Sequence, residues 1–123
     1  MISFDNFIVE DSIPIYLQIV RHIKREIVSG VIVNGDEVPS RRVMSALLGV
    51  NPNTIQKAYR ILEEEKLMES RSGAKSYMVL TENSVSLVRR QLLENDVTSI
   101  VGSLKQMGLS KEEAVALIEK YWD

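Results

Sequence analysis

The 123-residue chain contains no cysteine and only one histidine, His22. The lack of cysteine excludes disulfide bonds, thiolate zinc sites and a cysteine nucleophile, and it is consistent with a reducing compartment. A single imidazole cannot supply the histidine clusters of common zinc or non-haem iron sites, and it removes most general-base arrangements. We therefore predict a protein that is not an enzyme, with no catalytic residues, metal or cofactor.

Long hydrophobic runs are also missing. No apolar stretch approaches the 18 or more residues that a membrane-spanning helix requires. The first residues, Met-Ile-Ser-Phe-Asp-Asn, do not have the basic start and apolar core of a secretory signal. We expect a cytoplasmic protein without membrane contact. With six glycines, three prolines and 45% hydrophobic residues, its composition is typical of an ordered, helix-rich domain.

The charges are segregated along the chain, although the formal net charge is only −2. Two windows, residues 38–62 and 70–81, contain no Asp or Glu. The basic residues in these windows are Arg41, Arg42, Lys57, Arg60, Arg71 and Lys75. Because a local basic patch attracts nucleic-acid phosphates whatever the total charge, both windows are candidates for contact with DNA.

The first 38 residues are predicted to form an arm, a helix and a short strand. Residues 1–12 are acidic with scattered aromatic side chains, and we expect them to lie on the domain as an arm. Apolar residues then recur at helical spacing from Pro14 to Gly30, and Glu37-Val38 can form a strand. His22 on this helix is expected to be a polar surface residue, because it has no partner histidine.

The following segment has the pattern of a helix-turn-helix. Ser40 is a good N-cap for a short helix through Leu48, and Gly49 follows where a left-handed backbone is favoured. Asn51 is a suitable cap for a third helix, with Pro52 in its first turn.

The third helix is predicted to carry polar and basic residues on the face opposite its apolar stripe. Its members are Asn53, Gln56, Lys57 and Arg60. A helix fits the major groove of B-DNA, where Asn or Gln pairs bidentately with adenine and Lys or Arg with guanine. An ordinary solvated face has the same spacing, but such faces usually mix both signs of charge, and this one does not.

The rest of the chain is predicted to form a hairpin and two helices. Residues 67–71 and 76–80 read as short strands around a polar, basic tip. Beyond Thr81, two helices separated by Gly108 have apolar side chains on more than one face, so we expect them to form a dimer interface. The alternative is that they cover the preceding domain of the same chain. The expected interface residues are Leu93, Val97, Ile100, Val101, Leu104, Leu117, Ile118, Tyr121 and Trp122.

Five motifs occur in a fixed order: PIYLQI at 14–19, SG at 29–30, GDEVPSRR at 35–42, LGVNPNTIQKAY at 48–59 and LMESRSG at 67–73. Together they resemble the winged-helix DNA-binding domain of GntR-family bacterial transcription regulators. The resemblance implies that Ser40 and Arg42 belong to the family's Pro-Ser-x-Arg motif, whose arginine contacts DNA. It also implies that the start of the family's recognition helix corresponds to Asn51, Asn53, Thr54 and Gln56. The family's wing corresponds to Arg71 and Gly73.

The chain departs from the family pattern at two positions. Ser45 stands where the family usually has alanine, and Lys75 replaces a frequent wing glycine. After the winged helix, residues 83–123 are too few for the large effector-binding domains of most members. A two-helix tail of this length is similar to the YtrA-like subfamily, whose members are small dimeric repressors, often of transporter operons. The sequence leaves the effector ligand unknown.

We therefore predict a mainly α protein, with a winged helix-turn-helix and a small β-hairpin wing in residues 1–81 and a two-helix dimerisation tail in residues 82–123. The predicted function is sequence-specific binding of double-stranded DNA, as a homodimeric repressor at an inverted-repeat operator. The alternative is a winged-helix module for protein-protein assembly, which predicts an apolar or acidic third-helix face. The predicted DNA-binding residues are Ser40, Arg41, Arg42, Asn51, Asn53, Thr54, Gln56, Lys57, Arg60, Arg71, Gly73 and Lys75.

Overall fold

The computed structural model describes residues 1–5, 7–9, 12–71 and 75–123, which form five α-helices and a three-stranded antiparallel sheet. In chain order the elements are α1 (Ile15–Val28), β1 (Glu37–Val38), α2 (Arg41–Leu48), α3 (Pro52–Glu64), β2 (Met68–Arg71), β3 (Lys75–Met78), α4 (Glu82–Gln106) and α5 (Lys111–Tyr121). The mainly α winged-helix fold predicted from the sequence is confirmed.

The hydrophobic core forms around α3, which packs against α1, α2 and β2. On α1, helical spacing brings Ile19, Ile23 and Ile27 to one buried face. The buried residues of α3 are Ile55, Ala58, Tyr59 and Leu62. The apolar stripe predicted for the third helix is therefore its packing face, and the polar stripe is left outside.

The caps predicted for the helix-turn-helix are confirmed. The Ser40 hydroxyl accepts a hydrogen bond from the Val43 backbone N–H at 3.2 Å, which caps α2. Gly49 ends that helix with φ of 67°, a left-handed conformation that glycine adopts without a Cβ penalty. The Asn51 side chain then caps α3 by accepting from the Asn53 N–H at 2.8 Å.

The Ser45 hydroxyl adds a bond across the turn between α2 and α3. It donates to the backbone carbonyl of Val50, while the Ser45 carbonyl accepts from the N–H groups of Gly49 and Val50. The departure from alanine at this position is therefore compatible with the turn, because the hydroxyl is satisfied within it.

In the sheet, β3 lies between β1 and β2. The register pairs Met68 with Met78 and Arg71 with Lys75, and both methionines are buried. The two hairpin strands are shorter than predicted, and β3 begins at Lys75, which the sequence analysis assigned to the tip. Lys75 instead pairs with Arg71 as the last rung of the ladder. Most of the predicted tip, including Gly73, lies outside the described residues.

Ser3, Phe4 and Phe7 of the N-terminal arm lie on α1, where they contact His22 and Glu26. The Phe4 ring stacks on the His22 ring with centroids 4.5 Å apart, and Phe7 meets the same ring edge-on. The His22 Nε2 donates to the Ser3 carbonyl, and the Ser3 N–H donates to Glu26 Oε1 at 2.8 Å. The expectation of a polar surface histidine was therefore wrong, because the aromatic side chains of the arm fold back over it.

The described residues form two compact units, Met1–Arg90 and Gln91–Asp123. The first unit contains the winged helix, and Val88 from the early part of α4 is buried. The functional boundary that we predict between residues 81 and 82 falls where α4 begins. That division stays a prediction.

The second unit, which is described without gaps, has no buried residue. All of the predicted interface residues in it are exposed except Leu104, which is half-buried. Ile100, for example, is 52% exposed and Trp122 is 80% exposed. Ser110 caps α5, because its hydroxyl accepts a hydrogen bond from the Glu113 N–H at 3.2 Å.

Candidate nucleic-acid interface

The polar stripe of α3 forms the predicted outward face. Asn53, Lys57 and Arg60 are exposed, and Gln56 is half-buried. The buried residues of the helix interleave with them in sequence, so the two sets lie on opposite sides of its axis. The absence of Asp and Glu between residues 38 and 62 makes the described outward face positive.

At the start of α3, two of the predicted contact residues, Asn51 and Thr54, take part in hydrogen bonds within the protein. The Asn51 side-chain oxygen is occupied by the cap, so its NH₂ group is the donor that this amide offers outward. Thr54 is half-buried, and its N–H donates to the Asn51 carbonyl at 2.9 Å. Asn53 has its side chain in solvent, which fits a residue that reaches toward a ligand.

The first turn of α2 adds positive charge beside this face. Arg41 and Arg42 are both exposed and directly follow the Ser40 cap. The positive end of the helix dipole lies at the same place. An anion near this end therefore meets two guanidinium groups and backbone N–H donors together.

Arg41 and Gln56 connect the two helices of the motif directly. The Arg41 Nη1 donates to the Gln56 side-chain oxygen at 2.5 Å, across 15 residues of sequence. Sequence reasoning placed both residues in the site but did not predict their contact. Spacing along one helix cannot reveal a contact that depends on how α2 and α3 cross.

Lys57 has a second partner outside α3. Its Nζ lies 5.6 Å from the centroid of the Tyr16 ring on α1, which is within the range of a cation–π contact. The predicted face therefore includes Lys57, but its ammonium is oriented toward α1. This contact between α1 and α3 was not predicted from the sequence.

Both described cations of the wing are paired with carboxylates. Arg71 Nε lies 3.0 Å from Glu69 Oε1, and the guanidinium covers the Tyr77 ring at 4.6 Å. Lys75 Nζ lies 3.6 Å from Glu37 Oε1. Neither acid was predicted to lie at the site, because each precedes one of the acid-free windows in the sequence. In the sheet register, Glu37 and Glu69 each pair with Tyr77.

Tyr59 ties α3 to the residue that precedes the α2 cap. Its hydroxyl donates to the Pro39 carbonyl at 2.7 Å. Burial raises the pKa of Tyr59 above its usual value of 10.0, because the ionised phenolate would lose its solvation. The bond helps fix where α2 begins relative to α3, and therefore where Arg41 and Arg42 lie.

The described part of the chain contains no helix that is long and apolar enough to cross a membrane. Within the same residues there is no group of three or more His, Cys, Asp or Glu side chains that could hold a metal ion.

Residues 15–79 match the family described as bacterial regulatory proteins, gntR family. The HTH-type transcriptional repressor YtrA of Bacillus subtilis (strain 168) is 35% identical over 109 residues, which are 89% of this chain and 79% of YtrA. The HTH-type transcriptional regulator YhcF of the same strain is 33% identical over 112 residues, which are 91% of this chain and 93% of YhcF.

A solved structure agrees with these sequence matches. The GntR family transcriptional regulator from Listeria monocytogenes has a TM-score of 0.80 and 32% identity, covering 91% of this chain and 98% of that one. The family predicted from the ordered motifs is confirmed by sequence and by fold. The chain belongs to the GntR family and is a transcriptional regulator with a DNA-binding winged helix-turn-helix domain.

Proposed function

We propose that this regulator is a homodimeric repressor that binds an inverted-repeat operator with α3 in the major groove. The observation that carries the proposal is the outward face of α3, where Asn53, Lys57 and Arg60 are exposed beside half-buried Gln56 on a helix whose opposite face is packed in the core. A supported helix of this kind can enter the groove without deforming the domain. A module for protein-protein assembly would require an apolar or acidic face, and this face is polar and basic.

The residues of this face divide into two roles. Asn53 and Gln56 carry amides, which distinguish bases by their edges, so we assign them to base reading. Arg60 lies further along α3, and we assign it to a phosphate. Lys57, held toward Tyr16, is placed for the sugar-phosphate backbone on the α1 side rather than for a base.

The remaining predicted contacts position the domain on the backbone. The first turn of α2, with Ser40, Arg41 and Arg42, would bind a phosphate through its N–H groups and cations. Asn51 and Thr54 would support the start of α3 against the adjacent phosphate. In the wing we assign phosphate or groove contacts to Arg71 and Lys75, and the family resemblance adds Gly73, outside the described residues.

The tail supports the homodimer. Along α4, Leu93, Val97, Ile100, Val101 and Leu104 recur at helical spacing and form an apolar stripe, defined here as the α4 stripe. Most of this stripe is exposed in the single chain. Burying one large apolar side chain is worth about 1.5 to 3 kcal/mol, so pairing with a second copy would be strongly favourable. Leu117, Ile118, Tyr121 and Trp122 extend the exposed apolar surface on α5.

Repression follows from occupancy: a bound dimer excludes polymerase from the DNA that it covers. YtrA, which matches over most of its length, is named a transcriptional repressor, and this supports the same role here. A two-fold dimer presents the same α3 twice, so its operator is an inverted repeat with half-sites separated by about one helical turn or a multiple of it.

Selection of bound duplexes from a random DNA pool, using the full-length protein, tests this proposal. We expect one enriched motif that is an inverted repeat. Placing that motif over a promoter should lower transcription in vitro when the protein is added. Enrichment of a single half-site contradicts the dimer on DNA, and the absence of any enriched motif favours the assembly module instead.

A further inference from the structure

We propose that Arg41 fixes the Gln56 amide as a hydrogen-bond donor, and that α3 thereby selects guanine at the base that Gln56 faces. The inference rests on the proposed placement of α3 in the major groove. It adds the identity of one base and assigns Arg41 as the positioning residue that sets it.

The chemistry of the contact determines the orientation of the amide. A guanidinium group has five N–H donors and no acceptor. The Gln56 atom that faces Arg41 Nη1 at 2.5 Å is therefore the side-chain oxygen. The NH₂ group of Gln56 is left to point away from α2.

Residues 38–62, which include both side chains, contain no Asp or Glu that could compete for this arginine. A hydrogen bond from a charged donor is about twice as strong as one between neutral groups. Both side chains are on regular helices whose caps are in place, which reduces the freedom lost when they pair. The oriented amide is thus a property of the protein before it meets DNA.

The oriented amide changes what Gln56 can recognise. Bidentate pairing with adenine needs the amide oxygen and the NH₂ group side by side on the base edge, and the contact with Arg41 holds the oxygen toward α2 instead. The NH₂ group alone supplies two donors. In the major groove, guanine presents two neighbouring acceptors, N7 and O6, whereas adenine presents one acceptor beside a donor, thymine one acceptor and cytosine a donor. Guanine is therefore the base that matches.

Three variants, each used in a selection from a random DNA pool, test the inference. Gln56→Ala should lose a guanine preference of about 5- to 150-fold at one position in each half-site, the range for a good base contact. Arg41→Ala should shift that position toward adenine, because the released amide regains its oxygen. Gln56→Glu keeps the contact with Arg41 but offers only an acceptor, so it should shift the position toward cytosine.

Arg42→Ala is the matched control, because it removes an adjacent exposed cation without a described contact to Gln56. It should weaken binding to all sequences and leave the base profile unchanged. An unchanged profile in Arg41→Ala, or a profile in which Gln56→Ala loses adenine, would overturn the inference while leaving the proposed function intact. If the wild type enriches no motif, the proposed function itself fails. Should Arg41→Ala unfold in a thermal melt, Gln56→Glu decides the question.

Discussion

Asn53 and Arg60 lie on the same face of α3, yet we expect their substitutions to have different consequences. Asn53→Ala should cost about 1 to 3 kcal/mol on the preferred site and relax base choice at one position, because an amide reads a base edge. Arg60→Ala should weaken all sequences alike, because a phosphate contact has no sequence information. Titration of each variant against the selected operator and a scrambled duplex measures both effects. Equal weakening by Asn53→Ala on both duplexes would contradict the placement of α3.

Tyr59 offers a stability test that does not depend on DNA. Tyr59→Phe removes the hydroxyl that donates to Pro39 and should cost about 0.5 to 1.5 kcal/mol in the free energy of unfolding. Denaturant titration measures it. Tyr77→Phe is the control, because it keeps the ring that Arg71 covers at a half-buried position, and its effect should be smaller.

The same tyrosine predicts a pH dependence of stability. Its pKa is raised in the folded protein by burial, above the value of 10.0 expected for the unfolded chain. The folded state therefore holds this proton more tightly, so its contribution is fully present below pH 10 and is lost as the pH rises above it. The free energy of unfolding, measured between pH 9 and 11, should fall more steeply with pH for the wild type than for Tyr59→Phe. Parallel curves would contradict this assignment.

At the scale of elements, the wing carries acids that oppose its proposed task. Glu69 and Glu37 pair with Arg71 and Lys75, so the cations must leave these partners, or share them, to contact phosphates. Glu69→Gln should strengthen binding to every duplex by up to about fivefold, since exposed ion pairs are worth about 0 to 1 kcal/mol. Filter binding on operator and scrambled DNA measures the change. In an Arg71→Ala background Glu69→Gln should have a smaller effect; an undiminished effect would mean that Glu69 acts on DNA directly.

The helix boundaries of the motif were predictable because caps are local. Ser40, Gly49 and Asn51 each act within a few residues of their own position, so the sequence pattern contains the information needed. The same holds for the outward and inward faces of α3, which follow from helical spacing. The ordered motifs then identified the family.

Contacts between elements were not predictable from the pattern. The pair of Arg41 with Gln56 and the stacking of Phe4 on His22 each join separate segments, and their existence depends on the packing of those segments. The backbone conformation of Lys66 was not predictable for another reason. It has φ of 60° after α3, where glycine is the usual residue, so the residue type gives no signal for a left-handed conformation.

At the scale of the whole molecule, segregated charge lets an acidic protein bind DNA. Binding should weaken steeply with salt, because Arg41, Arg42, Arg60, Arg71 and Lys75 of each subunit would displace counterions. A dimer with about six to ten phosphate contacts would lose about three to five decades of affinity between 50 and 200 mM salt. The slope should lie toward the lower end, since both described wing cations are already paired. A slope near zero would contradict the proposed set of contacts.

The proposed dimer depends on the α4 stripe, and a single charged substitution within the stripe tests it. Ile100→Glu puts a carboxylate into the stripe, and we expect a monomer in sedimentation at micromolar concentration, because a buried unpaired charge is costly. Ser99→Glu is the control, because helical spacing places Ser99 on the other side of α4, and it should stay dimeric.

A fragment of residues 1–90, which retains buried Val88, should also be monomeric and bind the full operator weakly, since it loses the second tethered contact. A wild type that sediments as a monomer would overturn the dimer, and the tail would then need another partner for its apolar side chains.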